Sequence, residues 1–166
     1  GYAALIILPF VISFMMFSSY EEKEDPCEFV LLQPNIEPYQ DKFNTLTRDE
    51  QDDILFRLAE KGVTPQTSFV VAPETFTWFI NEDAPYTSPT VRRMGAFVKK
   101  HPKANFITGA ITMRQYVTRN APSLTAKKGR GYWYDTFNAS VMMDSSGRCD
   151  FFHKSKLVVL TEFIPY

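Results

Sequence analysis

Cysteine is scarce in this sequence: Cys27 and Cys149 are the only two among 166 residues. Two thiols cannot build a disulfide framework. With His101 and His153 they lack the spacing of a zinc site, so no metal is expected. A single Cys27–Cys149 bridge is left open. Glycine is scarce too, with seven residues against eleven prolines and no fixed period, which excludes collagen-like sequence. An excess of charge is also missing: 18 Lys and Arg stand against 19 Asp and Glu, for a formal net charge of -1. Without surplus cations to displace counterions, nucleic acid is not an expected partner. Disorder is excluded in turn, because 45% of the residues are hydrophobic and 15% aromatic.

What is present begins with residues 2–17, YAALIILPFVISFMMF, in which no charge appears before Glu21. About 19 residues at 1.5 Å each reach roughly 28 Å, close to the thickness of a bilayer's hydrocarbon core. Pro9 is tolerated in a helix of that kind. Tyr2 and Tyr20 suit the two interfaces. We therefore expect a transmembrane helix over residues 1–20; a signal peptide and a buried core helix are the alternatives. The segment EEKED that follows is poor in Lys and Arg, which favours the non-cytoplasmic side for what comes next. Gly1 in place of Met and Tyr166 inside an apolar run lead us to expect a longer protein.

From residue 26 onward the pattern alternates strands and helices. Short apolar runs at 28–33, 68–72 and 105–112 read as buried strands. A helix is expected over 47–61, with Thr47 and Glu50 as a capping box, Ile54, Leu55, Leu58 and Ala59 as its apolar stripe, and Gly62 as its stop. A second is expected over 89–100, capped by Ser88, begun by Pro89 and buried through Val91, Met94, Phe97 and Val98. Runs at 136–144 and 148–153, joined through Ser145, Ser146 and Gly147, form a hairpin. The loop 114–131 carries the basic cluster Lys127, Lys128 and Arg130, either solvated or against anionic head groups. The order β-α-β-α-β and hairpin argues an α/β sandwich with a mixed sheet in one domain over 26–166.

Three residues are candidates for chemistry. Glu74, in Val-Val-Ala-Pro-Glu-Thr, follows a buried strand, where open α/β sheets bind their ligands. A partly desolvated carboxylate there would titrate high and serve as general base, or be an ordinary loop acid. Lys154 ends the apolar strand Phe151-Phe152-His153 and suits an oxyanion, or discourages edge pairing. Glu162 follows the apolar run Leu157-Val158-Val159-Leu160.

Three stretches together resemble the nitrilase superfamily, and most closely its apolipoprotein N-acyltransferases. They are Leu31-Leu32-Gln33-Pro34-Asn35-Ile36 with Asp41-Lys42-Phe43, then Ala72-Pro73-Glu74-Thr75, then Tyr134-Asp135-Thr136-Phe137-Asn138-Ala139 with the hairpin and His153-Lys154-Ser155-Lys156-Leu157-Val158. The resemblance implies an α-β-β-α sandwich beside a membrane domain, incomplete here, with residues 26–166 as its N-terminal part. It also implies a Glu-Lys-Cys triad and no organic cofactor. Glu74 takes the place of the general base, Lys154 that of the lysine on the tetrahedral intermediate, and Glu162 that of a further glutamate near the reacting carbon. Gln33 and Asn35 would line the site. The family's nucleophilic cysteine lies downstream of Tyr166, so this chain by itself is expected to be inactive. A Pro-Phe-Gly turn common in the family is replaced by Val159-Leu160-Thr161.

The implied activity is transfer of an acyl chain from a phospholipid, through a thioester, to the N-terminal amine of an apolipoprotein. The implied setting is the bacterial inner membrane, with the catalytic domain on the periplasmic side. The rival readings are a soluble or tethered carbon–nitrogen hydrolase, a tethered binding module without chemistry, and a glycosidase using Glu74 and Glu162.

Overall fold

The computed structural model describes residues 2–22, 24–36 and 46–156. Among these residues it is a mixed α/β structure with one sheet and three α-helices, the first of them an apolar helix at the N-terminus. That first helix, α1 (Tyr2–Ser19), has no buried residue. Its 18 residues are long and apolar enough to cross a membrane. Near its end the Ser18 hydroxyl donates to the Phe14 carbonyl at 2.5 Å, so the serine's polar group is satisfied within the helix.

The remaining elements build the sheet and cover one of its faces. In chain order they are β1 (Glu28–Leu31), α2 (Arg48–Gly62), β2 (Thr67–Val71), β3 (Thr77–Asn81), a 3-10 turn (Pro85–Thr87), α3 (Pro89–Lys100), β4 (Asn105–Tyr116), β5 (Lys127–Lys128), β6 (Trp133–Met143) and β7 (Cys149–His153). The strand order is β1-β2-β4-β6-β5, with β3 beside β4 and β7 beside β6. β1, β2, β3 and β4 run parallel, and β6 runs antiparallel to β4, β5 and β7. The helices α2 and α3 supply the crossovers that parallel neighbours require.

Period-two alternation explains which face is covered. Along β4, Phe106, Thr108, Ala110 and Thr112 are buried while the residues between them are half-buried. Their partners on β6 include Met143, Val141 and Ala139, also buried. Onto this face α2 brings Leu55, Phe56 and Ala59, and α3 brings Val91, Met94, Phe97 and Val98. Phe56, Phe97 and Phe106 meet at its centre, with centroid separations of 5.2 Å (Phe56–Phe106) and 5.3 Å (Phe97–Phe106). The opposite face of the sheet has no helix over it among the described residues. The described residues therefore form one sheet with one helical layer, and the two-sheet sandwich expected from the resemblance is not seen within them.

Local expectations are met to different degrees. The capping box is present: Glu50 N–H donates to Thr47 Oγ1 at 3.3 Å, and Thr47 N–H to the Glu50 carboxylate at 2.8 Å. Gly62 is not a left-handed stop. It is the last helical residue, and a Cβ there would lie 2.8 Å from Val30 Cγ1, so its smallness lets α2 pack on β1. Ser88 stands at the N-cap of α3, but its hydroxyl makes no capping bond. The loop expected over 114–131 is shorter, because β4 runs on to Tyr116 and β5 interrupts the rest. Strand β3 was not expected at all. Cys27 and Cys149 are both free thiols, so the bridge left open by the sequence is not formed.

Candidate active site

Glu74 owes its position to an interruption in the sheet. β2 pairs with β4 from Asn105 to Ile107, and β3 pairs with the same side of β4 from Ala110 to Met113. Between the two, Ala72 N–H donates to the Ile107 carbonyl at 2.8 Å and Gly109 N–H to the Pro73 carbonyl at 3.1 Å. The chain then leaves the ladder at Glu74. Thr75, with φ of 52°, turns it back. A positive φ is costly for a β-branched residue, and backbone strain of this kind gathers at functional loops. Gly109 makes the excursion possible, since a Cβ there would stand 2.6 Å from Glu74 Cα.

Lys154 arrives from the other side. Along β7, His153 faces the covered side and Phe152 the open one, so Lys154 falls on the open side by alternation. Its N–H donates to the Asn138 carbonyl at 2.8 Å, extending the ladder by one bond. Its Nζ donates to Glu74 Oε1 at 3.0 Å. Asn138 Nδ2 donates to the same oxygen at 2.9 Å. A carboxylate, an ammonium and a carboxamide from three separate stretches therefore converge. They border an open groove of about 330 Å³, whose floor includes Val71, Ile107, Gly109 and Phe152.

The electrostatics differ from the sequence expectation in one respect. Glu74 is not desolvated: its side chain is 63% exposed, against 30% for Lys154. At that exposure the ion pair contributes little to folding, at most about 1 kcal/mol. Its content is chemical. An ammonium held within hydrogen-bonding distance of a carboxylate can stabilise negative charge developing on an adjacent carbonyl oxygen, while the carboxylate accepts a proton.

Of the other expected site residues, Gln33 and Asn35 are described and Glu162 is not. Gln33 and Asn35 are exposed on the loop after β1, Asn35 with φ of 52°, and neither borders the groove among the described residues. Glu162, Asp41, Lys42 and Phe43 lie outside the described residues. Neither free thiol suits a nucleophile at the groove. Cys149 sits at the far end of β7, roughly 13 Å from His153 at ~3.3 Å per strand residue. Burial, followed by the nearby Asp150 charge, pushes its thiol up to about 11, away from the reactive thiolate. Cys27 is exposed ahead of β1.

Sequence reasoning passed over a group that steadies Lys154 from behind. The Glu82 side chain, only 3% exposed, accepts from Thr112 Oγ1 at 2.6 Å and pairs with Arg114 at 2.8 Å. His153 Nε2 lies 2.5 Å from Glu82 Oε1, and its ring stacks on Phe137 with centroids 3.9 Å apart. The end of β7, one residue before Lys154, is thereby tied to the start of the loop after β3. The signal was the aromatic and β-branched run 75–80 followed by Asn81-Glu82-Asp83, a strand and turn by composition. Asn138 was visible only as part of a longer motif. No family model matches the chain, and no curated protein matches it either.

Proposed function

We propose that the protein to which this chain belongs moves an acyl chain from a phospholipid to the N-terminal amine of an apolipoprotein, through an acyl-thioester on the enzyme. On this reading residues 26–166 are the first part of a nitrilase-like α-β-β-α domain, with α1 as the end of a membrane domain and the site on the periplasmic face of a bacterial inner membrane. The observation that carries it is the 3.0 Å contact between Lys154 Nζ and Glu74 Oε1 across a gap of 80 residues. Those are the two side chains that the family resemblance assigns to base and oxyanion support. The chemistry follows from their types. Glu74 takes the proton of a cysteine thiol supplied by sequence beyond this chain. The thiolate attacks the ester carbonyl, and Lys154 holds the oxyanion. Collapse breaks the acyl–oxygen bond, and Glu74 returns its proton to the leaving lysophospholipid alcohol. The acceptor amine then attacks the thioester, forming the amide and restoring the thiol. Confinement of both substrates to one bilayer, beside a helix able to span it, raises their effective concentration.

The test uses the protein extended through its cysteine. Glu74→Gln and Lys154→Ala are each expected to lower acyl transfer roughly a thousand-fold or more, with far-ultraviolet circular dichroism unchanged. Wild-type turnover in either variant refutes the assignment. Release of ammonia from a carboxamide, without acyl transfer to an amine, would replace it with the carbon–nitrogen hydrolase that shares both residues.

A further inference from the structure

The segment 117–132 concentrates positive charge. It holds Arg119, Lys127, Lys128 and Arg130 and no carboxylate, in a chain whose net charge is -1. Its apex is built to point outward. Ser123 Oγ donates to both oxygens of Asp135, at 3.0 and 2.8 Å, and Thr125 Oγ1 donates to Asp135 Oδ1 at 2.8 Å. Asp135 itself is buried on β6. These two hooks turn residues 123 and 125 inward and throw Leu124, between them, fully into solvent. Val117 at the base of the loop is nearly as exposed. The hydroxyl–carboxylate clamp fixes the two residues that flank Leu124.

Below the apex, β5 pairs with Tyr134 and Trp133 of β6, and Lys128 Nζ lies 5.9 Å from the Trp133 ring. Tyr132 and Tyr134, with centroids 6.1 Å apart, alternate with Trp133 onto the other face of the ribbon. Outward leucine, flanking cations and aromatic rings on both faces of the ribbon beneath them are the ingredients of a surface that meets a bilayer. The aliphatic side chain enters the acyl boundary, the aromatic rings sit at head-group level, and the cations meet phosphates. We propose that the loop 117–132 docks onto an anionic phospholipid surface, with Leu124 inserted and Lys127, Lys128 and Arg130 on the head-group phosphates. The proposal is independent of the acyl-transfer reading. The long apolar α1 places such a surface within reach of this chain.

The experiment uses the whole chain, with Cys27→Ser and Cys149→Ser, and a polarity-sensitive nitrobenzoxadiazole dye on Leu124→Cys. The protein is reconstituted in vesicles of phosphatidylcholine alone or with added phosphatidylglycerol. With phosphatidylglycerol present the dye should shift to the blue and be quenched by doxyl-labelled lipid, while the same dye on Lys99→Cys in α3 should not. Lys127→Glu with Lys128→Glu and Arg130→Glu should abolish the shift. At about a factor of five per cation near an anionic surface, docking weakens by roughly a hundred-fold or more. No shift in either vesicle, an equal shift in neutral vesicles, or an equal shift with heparin and no vesicles would overturn the proposal.

Discussion

Gly109 matters for the space above it. A Cβ at that position would meet Thr75 N at 2.5 Å and Glu74 Cα at 2.6 Å, both backbone atoms that no rotamer change can move. Gly109→Ala therefore has to push the Glu74 loop off the sheet. A loss of about 1–3 kcal/mol is expected from the overpacking, together with loss of the Glu74–Lys154 contact. Gly95, inside α3, is the contrast: nothing lies within 4 Å of the Cβ it lacks. Gly95→Ala should stabilise the helix by roughly 0.5–1 kcal/mol. Urea melts of the two variants beside wild type check both signs, and the same sign for both would refute the packing argument. Residues of this kind separate what sequence reveals from what it hides. Glu74 and Lys154 were legible because each follows an apolar run and so falls at a strand end. Gly109, Asn138 and Glu82 were not, because each takes its role from a neighbour 30 or more positions away, Glu82 and Thr112 being 30 apart and Asn138 and Glu74 being 64.

At the level of elements, α2 and α3 could be read from their apolar spacing and their caps, and β4 and β6 from uninterrupted β-rich runs. β3 escaped because its own regularity is broken: pairing with β4 shifts between Thr77 and Ile80, and Phe79 has φ of 49°, so alternation fails just where it would have been counted. The contact between α2 and α3 also holds a charge that a stripe of apolar residues does not announce. Asp52 of α2 is 6% exposed and accepts from Thr90 Oγ1 of α3 at 2.7 Å. Burial raises its pKa, with the Thr90 bond and then the Arg93 charge pulling the other way. In the unfolded chain such a carboxyl loses its proton near pH 3.9. The folded protein holds that proton to higher pH, so ionisation costs stability once the pH exceeds the unfolded value. Asp52→Asn keeps a hydrogen-bond acceptor for Thr90 and removes the charge. It should be more stable than wild type at neutral pH, and the difference should vanish below about pH 3.9. Paired melts across that range check it; a variant weaker than wild type at neutral pH would mean that the charge itself holds the two helices together.

The whole molecule is unbalanced across its sheet, and the imbalance carries a prediction about its behaviour in solution. α2 and α3 cover one face. By register the other face carries Phe29 and Leu31 of β1, Phe69 and Val71 of β2, Ile107 of β4 and Phe152 of β7. Leu31 is 76% exposed and Phe152 73%, and Phe29 stacks on Phe69 with centroids 5.1 Å apart, still half in solvent. A contiguous apolar face of this kind is an association surface unless something covers it. The nitrilase-like reading covers it with a second sheet. No helix lies over it among the described residues, and removing α1, to leave residues 21–166, breaks no packing, since no residue of that helix is buried. This shortened chain should therefore self-associate at micromolar concentration and bind a hydrophobic dye. Leu31→Lys with Phe152→Lys should reduce both while leaving the urea midpoint nearly unchanged, because neither side chain contributes to the covered core. Sedimentation velocity distinguishes the outcomes. A monomeric parent would mean that the bare face is not sticky enough to need a partner, and unchanged association in the double variant would place the sticky surface elsewhere, most directly on the outer edge of β1, which pairs only with β2 among the described residues.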